Sequence, residues 1–151
     1  EGFLKITDRK KDIIITSGGK NIAPQPIENK FLRHDAISQI MICGDGQKSL
    51  SALIVPERNW VESLARTYQI PWKGFIELLP HPMIHKAYSI YVKELNEGSS
   101  DYERVKQFQL LEQAFTVEDG TMTPTLKVRR RAVTAKYQDL ISSMYAATGR
   151  D

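Results

Sequence analysis

Two apolar segments separated by a tight-turn sequence constrain the fold of this chain more than any other feature. Residues 37–43 and residues 50–55 are rich in β-branched and aliphatic side chains, which favour strands. Between them, Gly44, Asp45 and Gly46 form a strong turn signal, and Pro56 ends the second segment. The pattern therefore predicts a hairpin of two core strands.

Segments with helical or strand periodicity surround this hairpin. We predict helices over residues 26–33, over residues 60–68, from residue 82 to a C-cap at Gly98, and over residues 129–145, with a third core strand over residues 108–111. Residues 70–79 lie between two prolines and fit either a short helix or an irregular segment.

The N-terminal residues predict a second, separate hairpin. Residues 3–7 alternate apolar and polar side chains, and residues 13–16 are β-branched, so we expect them to pair across a charged turn at residues 8–12. The predicted fold class is α+β: a small, mostly antiparallel sheet flanked by helices, plus this N-terminal β-hairpin.

Composition excludes several classes of protein. The 151 residues, 41% of them hydrophobic, suffice for one domain with its own core, and no apolar run reaches membrane-spanning length. Cys43 is the single cysteine, which excludes a disulfide framework within the chain and fits a reducing compartment. His81 and His85 are four residues apart but have no evident third ligand, so we expect no metal site. The chain opens without a basic and apolar leader, and we expect it to be part of a longer protein.

Positive charge is concentrated in two clusters, residues 9–11 and residues 127–131, although the net charge is only +3. Two interpretations are open. The clusters face a phosphate-bearing ligand, or they are ordinary solvated faces. A non-catalytic module that holds nucleic acid or acidic lipid headgroups is the alternative class of function, and salt-sensitive binding to such polyanions would favour it.

The segment Ser17, Gly18, Gly19, Lys20 and Asn21 contains paired glycines at the end of a predicted strand. It is not a P-loop, because the glycine spacing is wrong and no helix begins after the lysine. Glycines permit positive φ and close approach of another group to the backbone. The segment is therefore either an ordinary tight turn or a surface against which something lies.

A second motif, Thr-Pro-Thr-Leu-Lys-Val-Arg-Arg at residues 123–130, places Lys127 on a loop before a predicted helix. A lysine at such a place can move its charge by several ångströms, and its ammonium group meets several anionic oxygens at once. An ordinary surface lysine is the simpler alternative.

Together these motifs resemble the C-terminal domain of the adenylate-forming superfamily, specifically that of the long-chain acyl-CoA synthetases. The resemblance rests on Asp-Arg-Lys-Lys-Asp at residues 8–12, Gly-Gly-Lys-Asn-Ile at residues 18–22 and the motif that contains Lys127. It implies an enzyme that activates a fatty acid with Mg-ATP to an acyl-adenylate and then transfers the acyl group to coenzyme A, releasing AMP. It also implies that residues 1–151 are a single lid domain, with a hinge near residues 8–12 and an extended connection at about residues 56–97.

The resemblance assigns roles in the first half-reaction to three residues. Lys127 matches the catalytic lysine that enters the active site for adenylation. Arg9 matches an arginine that contacts the ribose of the nucleotide. Lys20 matches a polar position near the adenylate, where many relatives carry arginine or glutamine.

The resemblance assigns roles in domain rotation and in the second half-reaction to three others. Lys11 occupies the hinge position. Gly18 and Gly19 match the strand that closes on the pantetheine arm of coenzyme A, where bare backbone suits a slender ligand. Thr125 and Leu126 stand where many relatives have serine and glycine, so we expect a stiffer loop.

The large N-terminal adenylation domain is the partner that the resemblance implies. Most ATP contacts, the Mg²⁺ ion and the acyl pocket are expected there, so we expect this chain alone to be inactive. We expect a cytoplasmic enzyme, compatible with peripheral membrane association when complete, and no nucleic-acid partner.

Overall fold

The computed structural model describes residues 12–149. The strands are β1 (Ile14–Ile15), β2 (Asn21–Ile22), β3 (Ile37–Cys43), β4 (Leu50–Pro56) and β5 (Val105–Leu110). The helices are α1 (Pro24–Leu32), α2 (Arg58–Thr67), α3 (Phe75–Leu78), α4 (Pro82–Leu95), α5 (Arg130–Lys136) and α6 (Gln138–Gly149), and a 3₁₀ turn covers Asp101–Glu103.

The main sheet has the strand order β3-β4-β5. β3 and β4 form the predicted antiparallel hairpin, in which Ile40 lies opposite Ile54. β5 runs parallel to β4, because α2, α3 and α4 intervene and return the chain to the same end of the sheet. The predicted α+β class is confirmed, and the sheet is mixed, with one antiparallel and one parallel ladder.

Helices cover both faces of this sheet. Alternate side chains of a strand point to opposite faces, so Ile40 and Ile42 belong to one core cluster and Met41 and Cys43 to the other. The first cluster includes buried residues of α1, α2 and α4, and the second includes Val133 of α5 and Met144 of α6. Every residue of β4 is buried, as expected of a central strand covered on both sides.

The long connection between β4 and β5 is built into the domain. Tyr88 of α4 is fully buried and donates a hydrogen bond to the carbonyl oxygen of Ala36 at 2.7 Å. The indole nitrogen of Trp60 donates to the hydroxyl of Tyr91 at 3.0 Å, and His34 packs against both rings. The undecided residues 70–79 contain only the single turn of α3 in regular structure.

Several predicted boundaries were wrong. α1 begins two residues early at Pro24, where proline suits the first helical turn. α2 begins at Arg58, two residues earlier than expected. β5 begins at Val105, three residues earlier than expected, and ends at Leu110.

The predicted final helix over residues 129–145 is two helices. The chain leaves helical geometry at Tyr137, where φ is −112° and ψ is 25°. The interruption accompanies the packing of both Val133 and Met144 against the same face of the sheet. No proline or glycine stands at this point, so local sequence does not predict the interruption.

The predicted partner strand at residues 3–7 lies outside the described residues, as does most of the charged turn. Within them, Ile14 and Ile15 pair with β2 in a short antiparallel ladder, Ile14 opposite Ile22. The segment containing Gly18 and Gly19 therefore closes a hairpin of its own. Across residues 12–149, none of the helices has the length and apolar character needed to cross a bilayer.

Candidate functional site

The turn that contains Gly18 and Gly19 is fixed by hydrogen bonds to Thr16. The Gly19 amide donates to the Thr16 carbonyl oxygen at 3.0 Å, and the Lys20 amide donates to the Thr16 hydroxyl at 3.1 Å. Gly19 has φ of +83°, whereas Gly18 has no such requirement. A β-carbon on Gly18 would meet only the Thr16 hydroxyl, at 4.0 Å. Both glycines are exposed, so the turn presents bare backbone outward.

This turn rests on the hairpin turn between β3 and β4. The Ser17 amide donates to the carbonyl oxygen of Gln47 at 2.9 Å, and the Gly46 amide donates to that of Ile15 at 2.8 Å. A carboxylate oxygen of Asp45 accepts from the Ile15 amide at 3.1 Å. The bare backbone of the turn is thus held against the central sheet.

Lys20 is exposed, and its ammonium lies 5.0 Å from the ring centre of Tyr102 in the 3₁₀ turn. Such a cation–π contact at an exposed place is weak. The ammonium therefore remains available to an anion approaching the glycine turn.

Lys127 lies on a short hairpin loop with a regular base. Met122 and Val128 form an isolated antiparallel bridge, and the Thr123 amide donates to the carbonyl oxygen of Lys127 at 2.8 Å. The Thr123 hydroxyl accepts from the Lys127 amide at 3.0 Å. The Lys127 side chain is exposed, and among the described residues no hydrogen bond or ion pair engages its ammonium. The backbone is held while the charge stays free to reach a ligand.

A network of polar side chains stabilises the base of this loop. Asp119 accepts from the amide and hydroxyl of the buried Thr121 and from the Lys136 ammonium at 3.0 Å. The hydrogen bonds from Thr121, followed by that from Lys136, lower the pKa of Asp119. The Arg129 amide donates to the Thr121 carbonyl oxygen at 2.8 Å, which joins the network to the end of the loop.

Arg130 connects the loop to the central sheet. Its guanidinium lies 2.6 Å from a carboxylate oxygen of Glu28 on α1 and donates to the carbonyl oxygen of Ile42 at 3.1 Å. The same Glu28 oxygen accepts from the Ile42 amide at 2.9 Å. Arg130 also lies 3.9 Å from Asp12. Sequence reasoning missed this pair, because Glu28 and Arg130 are far apart in the chain and neither belongs to a recognisable spacing.

Burial dominates the electrostatics of Glu28. Desolvation raises the pKa of this carboxyl group, and the Arg130 charge only partly opposes the rise. The Glu28 side chain is 12% exposed. We call this ion pair the clasp of Glu28 and Arg130. Loss of either partner would leave the charge of the other buried and unpaired.

A cavity of about 570 Å³ opens between the start of β1, the end of β3 and the helices α5 and α6. Asp12, Cys43, Asp45 and Arg130 contribute to its lining. Burial raises the pKa of the Cys43 thiol to about 12, so this cysteine is a small hydrophobic residue and not a nucleophile.

The two histidines have structural partners. The Nδ1 atom of His81 accepts from the Met83 amide at 3.1 Å and caps α4, and the His85 ring stacks on Phe108 with 4.7 Å between ring centres. Within the part of the chain that the structure describes, there is no cluster of three or more histidine, cysteine or acidic side chains suited to a metal ion.

The predicted site residues fall into two groups. Gly18, Gly19 and Lys20 share one turn, whereas Lys127 lies on a separate loop, and no hydrogen bond or ion pair joins the two within residues 12–149. Arg9 and Lys11 lie outside the described residues. Both groups are exposed on the surface of the domain.

The fold of this chain is similar to parts of two solved enzymes. The adenylation domain of a carboxylic acid reductase from Segniliparus rugosus, solved with AMP and a co-purified carboxylic acid, matches 93% of this chain with a TM-score of 0.75 and 21% identity, over 20% of its own length. A fatty acyl-CoA synthetase from Mycobacterium tuberculosis matches 86% of the chain with a TM-score of 0.53 and 16% identity, over 20% of its length.

The chain belongs to the family described as AMP-binding enzyme C-terminal domain, which matches residues 11–149. It is 36% identical over 149 residues to the long-chain-fatty-acid–CoA ligase FadD15 of Mycobacterium tuberculosis, covering 96% of this chain and 24% of that enzyme. It is 34% identical over 148 residues to the long-chain-fatty-acid–CoA ligase 5 of Mus musculus, covering 95% of this chain and 21% of that enzyme. The chain thus spans about a quarter or less of the length of these relatives.

Proposed function

We propose that this chain is the C-terminal lid of an AMP-forming acyl-CoA synthetase that acts on a long-chain fatty acid. Such an enzyme joins the fatty acid to ATP, giving an acyl-adenylate and pyrophosphate, and then joins the acyl group to the thiol of coenzyme A, releasing AMP. The observation that carries the proposal is the family match over residues 11–149 combined with a free Lys127 ammonium on a buttressed loop. The long-chain substrate is carried over from the names of the relatives.

Lys127 serves the first half-reaction in this proposal. Negative charge builds up between the fatty-acid carboxylate and the α-phosphate as the new bond forms. An ammonium group with three donors stabilises oxygens of both at once, and it does so best where water is excluded. The hydrogen bonds between Thr123 and Lys127 hold the backbone, so that only the side chain has to be ordered.

The turn of Gly18 and Gly19 serves the second half-reaction. Nothing inside the domain requires Gly18 to lack a side chain, since a β-carbon there has open space. A ligand that packs directly against the backbone from outside would require a glycine here. The pantetheine arm of coenzyme A is slender enough to do so. Lys20 lies beside this turn and is placed to meet an anionic group of the adenylate or of coenzyme A.

The remaining roles lie toward the N-terminus or in the partner domain. We propose that Arg9 contacts the ribose and that Lys11 is the hinge about which residues 12–151 rotate, with residues 56–97 forming the extended connection of a single domain. Mg²⁺, when bound with ATP in the N-terminal domain, neutralises phosphate charge. Since those groups lie outside this chain, the chain by itself is expected to be inactive. We propose a cytoplasmic location, with peripheral membrane contact left to the complete enzyme.

The alternative of a basic module for nucleic acid or lipid headgroups has less support. Arg129 donates to the carbonyl oxygen of Gly120, and Arg130 is bound to Glu28, so half of the second cluster's arginine and lysine residues hold the fold together. The relatives that match nearly all of the chain are ligases.

Replacing Lys127 in the full-length enzyme tests this function. Lys127→Ala should slow adenylate formation by about a hundredfold or more, as loss of a key electrostatic donor does, and it should spare thioester formation from supplied acyl-adenylate. Single-turnover assays of the two half-reactions give the measurement. Lys86→Ala, which removes an exposed lysine of α4, is the matched control and should leave both rates unchanged. Equal losses in both half-reactions for Lys127→Ala would contradict the assignment.

A further inference from the structure

Leu126, the residue before Lys127, occupies an unfavourable place for its type. Its φ is +65°, in the left-handed region that suits glycine or asparagine. The residue is 71% exposed, more than any other large hydrophobic residue among those the structure describes. The loop hydrogen bond of Leu126 comes from its backbone, because its amide donates to the carbonyl oxygen of Thr123 at 2.8 Å.

Neither feature benefits the domain itself. A glycine would form the same backbone hydrogen bond without a β-carbon in the left-handed region. A polar side chain would be better solvated at the same place. Backbone outliers of this kind, held by surrounding hydrogen bonds, occur often at functional sites and ligand clamps. A stabilising apolar contact with a surface outside the domain would account for a leucine here.

If the proposed function holds, the position of Leu126 beside Lys127 identifies where that apolar contact forms. Consecutive Cα atoms are about 3.8 Å apart, so Leu126 must accompany Lys127 when the ammonium group enters the adenylation site. That site excludes water, and its entrance belongs to the N-terminal domain. In the thioester-forming orientation, Lys127 has withdrawn and Leu126 returns to solvent. The leucine is therefore buried in one orientation of the lid and exposed in the other.

We propose that Leu126 is an apolar anchor that docks against an apolar surface of the N-terminal domain, next to the adenylation site, and so stabilises the adenylation orientation. A contact that exists in only one of two states shifts the equilibrium between them by its own free energy. Full burial of a leucine side chain corresponds to a factor of roughly 10 to 100 in that equilibrium. Leu126 touches no reacting atom in this proposal and acts by positioning Lys127.

Three substitutions in the full-length enzyme separate the side chain from the backbone. Leu126→Asn removes the apolar group but tolerates the left-handed backbone. Leu126→Gly removes the apolar group and relaxes the backbone. Leu126→Met keeps an apolar side chain of similar volume. Single-turnover rates of adenylate formation, and of thioester formation from supplied acyl-adenylate, are measured for each.

Leu126→Asn and Leu126→Gly should both slow adenylate formation by roughly 10- to 100-fold and leave thioester formation unchanged or faster. Leu126→Met should stay within about threefold of the parent, as volume-conserving apolar exchanges do. Ile76→Gln, which removes an apolar side chain that is 53% exposed on α3, is the matched control and should alter neither rate. A parent-like adenylation rate for Leu126→Asn or Leu126→Gly would overturn the proposal, and so would an equal loss in both half-reactions.

Chemical labelling supplies a readout independent of rate. In Leu126→Cys, modification by a thiol reagent should slow at least several-fold when ATP and an unreactive fatty-acid analogue favour the adenylation orientation. Labelling of the parent enzyme gives the background. Labelling that is equally fast with and without these ligands would overturn the proposal.

The outcome for Lys127→Ala distinguishes this inference from the function on which it rests. If Lys127→Ala loses adenylate formation but Leu126→Asn does not, the anchor is wrong and the proposed function stands. If Lys127→Ala leaves adenylate formation intact, the proposed function is wrong and the anchor is overturned with it.

Discussion

Gly18 and Gly19 are adjacent in the chain, but they are glycines for different reasons. Gly19 adopts φ of +83°, which a side chain disfavours, while its surroundings leave open space. Gly18 has neither a positive φ nor a close neighbour. The backbone of the domain therefore explains the second glycine but not the first, for which contact with a ligand is our proposal.

This difference predicts opposite effects of alanine at the two positions. Gly19→Ala should destabilise the domain by about 1–2 kcal/mol, the usual penalty for a β-carbon in left-handed geometry. Gly18→Ala should leave stability within about 0.5 kcal/mol, as surface substitutions do, but should slow thioester formation several-fold in the full-length enzyme. Denaturant unfolding and half-reaction assays separate the two. A Gly18→Ala enzyme with normal thioester formation would remove the support for a pantetheine contact there.

At the scale of elements, α1, β3 and α5 are held together by the clasp of Glu28 and Arg130. The clasp contributes hydrogen bonds to both the amide and the carbonyl oxygen of Ile42, so its loss would leave buried polar groups unpaired. It also fixes the start of α5, and with it the end of the Lys127 loop.

We predict that Arg130→Met destabilises the domain by about 3 kcal/mol, the lower end of the range for breaking a buried ion pair, because it leaves the Glu28 carboxylate buried without its counter-charge. The neighbouring and exposed Arg131 offers a matched control, and Arg131→Met should cost less than about 0.5 kcal/mol. Denaturant unfolding curves of the chain provide both values. Similar values for the two variants would show that the clasp contributes little.

The pKa of Glu28 gives this prediction a dependence on pH. A carboxyl group whose pKa is raised in the folded state contributes most to stability below its unfolded pKa, and this contribution is lost as pH rises through the folded pKa. Removing the Arg130 charge raises the folded pKa further, so the deficit of Arg130→Met should be larger at about pH 8 than at about pH 5. Unfolding curves at the two pH values give the comparison, and adding Glu28→Gln should abolish the difference.

At the scale of the whole molecule, the glycine turn and the Lys127 loop are two separate exposed surfaces on the same sheet. The glycine turn is hydrogen-bonded to the β3–β4 turn, and the Lys127 loop is joined to the same sheet through Arg130. A rotation of the domain as one body would therefore move both surfaces together, which suits a lid that serves two half-reactions in turn. The proposed pivot is Lys11, next to the first described residue.

Stiffening this pivot should separate the two half-reactions. Lys11→Pro fixes φ near −65° and removes the amide donor, so the full-length enzyme should lose one half-reaction by at least tenfold more than the other. Lys11→Ala keeps the backbone free and should have a much smaller effect. An overall rate for Lys11→Pro equal to that of the parent would refute the hinge assignment.

The sequence by itself determined the parts of this protein that depend on neighbouring residues. The β3–β4 hairpin was predictable because β-branched runs flank a turn rich in glycine, and the glycine and lysine motifs were recognisable because their spacing is local. The fold class followed from these elements.

Only the tertiary structure decided the features that join distant residues. Local periodicity carries no information on contacts across the sheet. Three features depend on such contacts: the parallel pairing of β5 with β4, the interruption of the last helix at Tyr137, and the clasp between Glu28 and Arg130. The left-handed backbone at Leu126 belongs with them, because the fold of the loop, and not the preference of leucine, sets that φ. Local sequence determined which segments form strands and helices, and packing between distant segments determined how they are arranged.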